Sequence, residues 1–382
     1  MKKRKIAITT GSRAEYGILR PLLKELSKNK HIETHLIVTG SHLSKKHGLS
    51  INEIKKDKYK IAKIIHMTPD QNDMFSSTVT LGKAIVEFAK FFKKHKPDIN
   101  LVLGDRNEML ASAIAAYQMN IPNAHIHGGD KSGGLDEYTR HAITKISNIH
   151  FPATKKSKEN IKKMGENEKF IFHFGSLSID EIKNGKIVKK QDLEKKYNIQ
   201  FNGKDILLLQ HPVTTEESFV KKQINETLAA IKKIKQNTII IGPNLDPGNN
   251  IIINEIKKFK ENHNFVHLYS NIPREDYLGF LKNCKVLVGN SSSGMIEASV
   301  FKIAVVNIGN RQKNREHGKN VINVKKFSNN QIYSAINKAM KVKKIELKTS
   351  NVYGYGNTAT KIAQKLEKIN LNNRLLKKET SF

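Results

Sequence analysis

Short hydrophobic runs, each passing through a glycine or polar turn into a stretch with helical spacing, recur along almost the whole chain. Lys5 to Thr9 is a β-branched run that enters Gly11-Ser12-Arg13, and Glu15 to Leu26 then repeats its apolar positions at helical intervals. Ile32 to Val38 predicts a second strand ending at Thr39-Gly40-Ser41-His42, Leu81 to Phe91 a helix, Ile99 to Leu103 a strand and Glu108 to Tyr117 a helix. Ala124 to Ile126 leads into His127-Gly128-Gly129. Asp136 to Ile146 reads as helix, Ile149 to Phe151 as a strand stopped by Pro152, Ser157 to Met164 as a helix closed by Gly165, and Ile171 to Phe174 ends the series.

The stretch from Asp180 to Lys196 is polar and lysine-rich with no sustained strand pattern, which places a linker around 175–198. The alternation restarts at Ile206 to Leu209, followed by His211-Pro212 and a helix through Ala229-Ala230. Further strands are expected at Thr238 to Ile241, Phe265 to Leu268, Val286 to Val288, Ala304 to Ile308 and Val321 to Val324. Helices are expected at Ile252 to Phe259, Tyr277 to Leu281 and Ile332 to Met340. A last helix near Thr358 to Ile369 is expected to pack back across the domain junction. Strand and helix alternating twice over predicts an α/β chain of two doubly wound Rossmann-like domains facing one another, at 1–175 and 199–355, with 356–382 as the returning segment.

Length agrees with this division, since 382 residues exceed the size at which a single core stops growing. The net charge of +32 raises nucleic acid or an anionic surface as a partner. The lysines are nevertheless dispersed, with no zinc-finger spacing or RNA-binding aromatic signature, so most of the charge reads as solvated surface and no nucleic-acid partner is expected. Cys284 is the sole cysteine, which excludes an internal disulfide and a cysteine metal cluster; no metal site is expected. The apolar run from Ile6 is too brief for a signal peptide or membrane span, and a cytoplasmic protein without membrane insertion is expected.

Candidate chemistry gathers in the polar segments after the strands, where ligands bind in doubly wound sheets. Asp105, Asp130 and Asp136 come from three such segments. Carboxylates crowded together separate into an acid and a base, although each alone is equally a cap, with Asp136 a candidate N-cap of its own helix. The strand period puts His125 and His127 on one face, His127 nearer the loop. Gly289-Asn290-Ser291-Ser292-Ser293-Gly294, between a strand and a helix, offers backbone N–H groups and hydroxyls to a phosphate, and Glu297 one turn on would accept two vicinal hydroxyls unless it is a plain surface residue. Arg13 follows a glycine loop that lacks the dinucleotide fingerprint. It either reaches a diphosphate or pairs with Glu15. His211 stands before a proline at a strand end, placed to donate to a phosphoryl oxygen or to make a structural hydrogen bond.

Taken in order, Gly11-Ser12-Arg13-Ala14-Glu15-Tyr16, Leu103-Gly104-Asp105-Arg106, His127-Gly128-Gly129-Asp130, Arg140 to Lys145, His211 to Thr215, Pro243-Asn244, Gly289 to Gly294 and Gly309-Asn310-Arg311-Gln312 resemble the UDP-N-acetylglucosamine 2-epimerase family, most closely its hydrolysing branch in sialic and related nonulosonic acid synthesis. The resemblance implies a GT-B-like fold with the nucleotide sugar in an interdomain cleft, no cofactor, and a homodimer or homotetramer. It implies catalytic roles for Asp105, Asp130, Asp136 and His211. Diphosphate or nucleotide contacts fall to Arg13, Arg106, His211, Asn244, Ser291, Ser292 and Arg311, with Glu297 on the ribose. The implied reaction converts UDP-N-acetylglucosamine and water to N-acetylmannosamine and UDP, by anti elimination through a 2-acetamidoglucal and then hydration. A nucleotide-linked 2,4-diacetamido-2,4,6-trideoxyhexose, on UDP or GDP as in legionaminic acid synthesis, is the near alternative, and a GT-B glycosyltransferase the more distant one. Ile18 stands where some relatives carry a phosphate-binding lysine. His-Ile-His-Gly-Gly-Asp stands where the non-hydrolysing branch reads His-Val-Glu-Ala-Gly, which favours hydrolysis.

Overall fold

A computed structural model describes residues 3–44, 49–67, 74–132, 135–243, 246, 248–270, 272–342 and 352–378. The chain divides into two compact units. One comprises Met1–Asp130, Asp136–Asn184 and Tyr353–Phe382, the other Lys131–Leu135 and Gly185–Val352.

In the first unit, β1 (Arg4–Thr10), α1 (Arg13–Lys28), β2 (Ile32–Thr39), α2 (Ile51–Lys56), β3 (Ile61–Ile65), α3 (Met74–His95), β4 (Ile99–Leu103), α4 (Asn107–Gln118), β5 (Asn123–Ile126), α5 (Leu135–Lys145), β6 (Ile149–Phe151), α6 (Lys155–Lys163) and α7 (Leu177–Asn184) follow in order. All the strand pairs are parallel, in the order β3-β2-β1-β4-β5-β6. Helices on both faces explain why β4 and β5 are buried at every position, including the polar Asn100, Asn123 and His125. Ser12 caps α1 by accepting from the Glu15 N–H, and Leu19, Leu22, Leu23 and Leu26 form the helix stripe that meets Ile6, Ile8 and Leu36.

The second unit holds α8 (Lys190–Tyr197), β7 (Ile206–Leu209), α9 (Val220–Ile234), β8 (Thr238–Ile241), α10 (Asn249–Glu261), β9 (Val266–Tyr269), α11 (Arg274–Asn283), β10 (Val286–Gly289), α12 (Ser292–Ile296), β11 (Ala304–Ile308), β12 (Val321–Val324) and α13 (Asn329–Lys341). Its sheet is again parallel, ordered β12-β11-β10-β7-β8-β9. Both sheets are therefore doubly wound, with the strand order reversing between β1 and β4 in one and between β7 and β10 in the other. At such a point successive loops leave toward opposite faces, and the strand carboxyl ends are open to a ligand.

Past Tyr353 the chain contributes α14 (Thr358–Lys368) and α15 (Asn373–Leu376) to the first unit. Ala359, Ile362, Ala363, Leu366 and Leu375 enter the same core as α1. Buried Asp180 on α7 caps α14, accepting from the Thr358 N–H at 3.1 Å and the Ala359 N–H at 2.7 Å. The stretch read as a linker is thus two helices, one in each unit, whose polar residues serve as caps and ion-pair partners. Ile171 to Phe174 is not a strand. It makes a single bridge, from Ile171 to His150, and turns its phenylalanines into a cluster with Phe151. Among the described residues no helix is long and apolar enough to cross a membrane.

Candidate active site

In the first unit the polar segments after β4 and β5 meet on one side chain, Arg140 of α5. Its guanidinium pairs with the Asp105 carboxylate just beyond β4 and donates at 2.9 Å to the backbone carbonyl of Asp130 beyond β5. Arg140 is buried whereas Asp105 is partly open. Asp136 lies one turn before Arg140 on the same helix, and this i,i+4 spacing places it on the same helical face. Because α5 begins at Leu135, Asp136 sits inside its first turn and is not the N-cap that its sequence position invited.

The Asp130 carboxylate is buried and accepts from the Ser157 hydroxyl at 2.5 Å, so it turns toward α6. Asp105 and Asp130 accordingly face a guanidinium and a hydroxyl. Two carboxylates that share one cation are Glu15 and Glu108, both near Arg106. His125 is buried between Thr144 and the Gly104 carbonyl, which it meets at 3.1 and 2.7 Å, and burial lowers its pKa to about 3. Its neutral ring clamps the Asp105 loop from beneath. Gly128 is required above it, since a Cβ there would come within 2.8 Å of both His125 Nδ1 and Thr144 Oγ1.

Around the end of β1, Arg13 pairs with Glu53 of α2 at 2.6 Å, not with Glu15 as its neighbouring position allowed. Glu15 instead folds back to accept from the Gly11 N–H at 2.8 Å, and its other oxygen lies 3.8 Å from the Arg106 Nε. Glu108 approaches the same nitrogen at 3.6 Å. Burial raises the Glu15 pKa to about 7, opposed by Arg106 and reinforced by Glu108. His42, buried against Thr10 and Ser50, is lowered to about 4 by burial and by Arg13.

In the second unit His211 and Asn290 span the reversal between β7 and β10. The His211 N–H donates to Asn290 Oδ1 at 2.7 Å, and Asn290 Nδ2 returns a bond to the His211 carbonyl at 2.8 Å. Burial and Arg311 hold the His211 imidazole well below its ordinary pKa. Arg311 and Gln312 both donate to the Asn290 carbonyl, which fixes the Gly309 to Gln312 loop beside the serine turn. Ser291 caps α12 through the Ser293 N–H, and Ser292 opens that helix. Glu297 is no surface residue. It is buried, held by both ends of the Arg274 guanidinium, and accepts from Ser293 Oγ at 2.6 Å while Tyr277 donates to that same hydroxyl. Asn244 lies outside the described residues.

Arg106 was expected at the site, but its approach to Glu15 and Glu108, the anchoring contacts of Arg140, and Arg274 and Glu108 as site elements were not. The only local signal was a charged residue within two turns of a recognised one, and the contacts that define them come from other strands.

Solved structures of similar fold include the UDP-GlcNAc 2-epimerase from Neisseria meningitidis bound to UDP-GlcNAc (TM-score 0.82, 20% identity, 96% of this chain and 100% of that one). The Methanocaldococcus jannaschii UDP-GlcNAc 2-epimerase in complex with UDP-GlcNAc and UDP gives a TM-score of 0.79 at 22% identity, over 95% and 99% of the two chains. In sequence, the chain is 38% identical to a UDP-N,N'-diacetylbacillosamine 2-epimerase (hydrolyzing) of Legionella pneumophila, over 99% of this chain and all of that one. It is 36% identical to a GDP/UDP-N,N'-diacetylbacillosamine 2-epimerase (hydrolyzing) of Campylobacter jejuni over 84% of each chain, and 31% identical to a UDP-N-acetylglucosamine 2-epimerase of Neisseria meningitidis over 96% and 95%. The fold and these relatives define an enzyme of the hydrolysing nucleotide-sugar 2-epimerase class. Residues 24–367 match the family model described as UDP-N-acetylglucosamine 2-epimerase, and the chain belongs to that family.

Proposed function

We propose that the enzyme acts on a nucleotide-linked 2,4-diacetamido-2,4,6-trideoxyhexose and releases it as the free 2-epimer. The observation that carries this reading is the 38% identity, across the full length of both chains, to the Legionella relative named for diacetylbacillosamine, against 31% to the Neisseria relative named for N-acetylglucosamine. The Campylobacter relative is named for GDP as well as UDP, so the carrier is one of these two. UDP-N-acetylglucosamine, expected first from the sequence, becomes the second reading, favoured by the family description.

The chemistry is an elimination followed by a hydration. The C2–H bond and the C1–O bond to the diphosphate break on opposite faces, leaving a C1=C2 double bond. Water then supplies oxygen to C1, and C2 regains a proton on the face opposite to the one it lost. Asp105, Asp130 and Asp136 are the candidate proton carriers. The guanidinium of Arg140 favours the ionised form of Asp105, which is the form a base requires. Negative charge grows on the departing diphosphate, and Arg13, Arg106, Arg311, Ser291 and Ser292 are the donors assigned to it. His211, held neutral, offers one ring N–H to the same oxygens. Glu297, already oriented by Arg274, retains acceptor capacity for ribose hydroxyls, and Asn244 is assigned beside the nucleotide.

The test is incubation in deuterated water with UDP- and GDP-linked diacetamido sugars and, separately, with UDP-N-acetylglucosamine, followed by proton NMR. Fastest release of a free diacetamido sugar of manno configuration, deuterated at C2, supports the proposal. Preferred turnover of UDP-N-acetylglucosamine transfers it to the second reading, and a product without deuterium rejects the elimination.

A further inference from the structure

The reversal of strand order in the first sheet falls between β1 and β4, and beside it Arg106 meets two carboxylates, Glu15 and Glu108, to which the reaction above gives no role. Arg106, immediately after Asp105, has its Nε 3.8 Å from Glu15 and 3.6 Å from Glu108. The two carboxylates are fixed independently of it. Glu15 is tied to the Gly11 N–H. Glu108 packs against Gly11 and Gly40 so closely that a Cβ at Gly40, whose φ is +59°, would press on its carboxylate. Ser41 donates to the Gly11 carbonyl at 3.1 Å, closing the loop from the β2 side. Two buried acids against one base leave the trio with a surplus negative charge when both acids are ionised, an arrangement that burial disfavours.

We propose that Glu15 and Glu108 are positioning residues of the reaction, holding the Arg106 guanidinium at the switch point where it meets the anionic part of the substrate, and that anion binding there draws a proton onto the pair. The reason is electrostatic. Burial and Glu108 oppose the Glu15 carboxylate, and Arg106 stabilises it most, ahead of the Gly11 and Ser12 N–H groups. An anion arriving on Arg106 weakens that stabilisation and adds repulsion, so the protonated form gains. The other charged or titratable groups facing this corner are Arg13 with Glu53 from α1 and α2, His42 from the segment after β2, and Asp105 beside Arg106. Burial and Arg13 hold His42 neutral, whereas burial raises Glu15 toward the protonated form.

This inference rests on the nucleotide-sugar reading, and UDP is the probe. Calorimetric titration of the whole protein with UDP at about pH 7.5, in buffers of different ionisation enthalpy, counts the protons taken up. Uptake on the order of half a proton is expected for the wild type, and none for Glu15→Gln, which keeps an acceptor for the Gly11 N–H. Glu108→Gln should behave likewise. In both variants kcat/KM is expected to lose the pH dependence of the wild type between about pH 6 and 8, an effect that a merely structural role would not produce. Equal uptake in the wild type and Glu15→Gln, or UDP binding without uptake in the wild type, would overturn the inference while leaving the proposed reaction standing. Failure of the wild type to bind UDP at all would overturn both.

Discussion

Arg140 joins loops from two strands to a helix, and its removal has a calculable cost. Replacing it with glutamine withdraws a buried guanidinium from the Asp105 carboxylate and from the Asp130 carbonyl. Breaking a buried ion pair by deleting one partner costs about 3–5 kcal/mol, and a buried carbonyl left without its donor about 1–3 kcal/mol. Asp105 retains 23% exposure and recovers part of its hydration, which puts the expected loss near the lower end, about 3 kcal/mol. Asp105→Asn leaves the positive charge buried, and about 2 kcal/mol is expected. The two changes remove the same interaction, so the double variant should be more stable than the sum predicts, with a coupling energy on the order of 2 kcal/mol. Urea unfolding followed by circular dichroism of the four proteins measures it; the chain has no tryptophan to report instead. A coupling below about 0.5 kcal/mol, the level found for independent sites, would refute the claim that Arg140 ties the strand ends together.

Three further outcomes are expected. Burial alone would raise Glu166, but His150, Lys145 and Lys378 hold it down to about 2, so its stabilising contribution is present above about pH 4.5 and is lost as pH falls toward 2; the gap in stability between wild type and Glu166→Gln should close over that window in an acid titration. Gly40→Ala should cost about 1–3 kcal/mol in thermal unfolding, because a left-handed φ is combined with a Cβ placed 2.6 Å from the Gly11 carbonyl and against Glu108; a shift within error would count against that packing. Asparagine at Asp105 or Asp136 should lower kcat by a factor of about 10²–10⁴ while UDP affinity in calorimetry stays nearly unchanged, and wild-type rates would remove either residue from the catalytic set.

The inner strands of the second sheet are readable from sequence because they are buried on both faces and bounded by turns, as where Ala304 to Ile308 coincides with β11; the edge strand β12, Val321 to Val324, is only partly buried but keeps an apolar pattern. The edge strand β3 escapes notice, since Ile61 to Ile65 includes Lys63, lies at the sheet margin and is only partly buried. Asp180 looks like linker because its partners, the amides of Thr358 and Ala359, are remote in sequence. The same holds for the site. The positions of Asp105, Asp136, His211 and the serine turn are visible as polar breaks after strands, whereas the partners that orient them are set by register between strands. Glu297 shows the limit in one residue, since nothing in Ser-Gly-Met-Ile-Glu discloses that Arg274 of α11 grips both its oxygens.

The return of the chain to the first unit at Tyr353 has a consequence for biogenesis. Leu19, Leu22 and Leu26 share their core with Ile362 and Leu366, so the amino-terminal half leaves the ribosome with an uncovered apolar seam. That seam stays open until α14 is made, and α14 follows the intervening segment from Gly185 to Val352 that builds the other unit. The order of maturation is therefore the reverse of the order of synthesis, and a nascent chain stalled short of α14 is the species most in need of a chaperone.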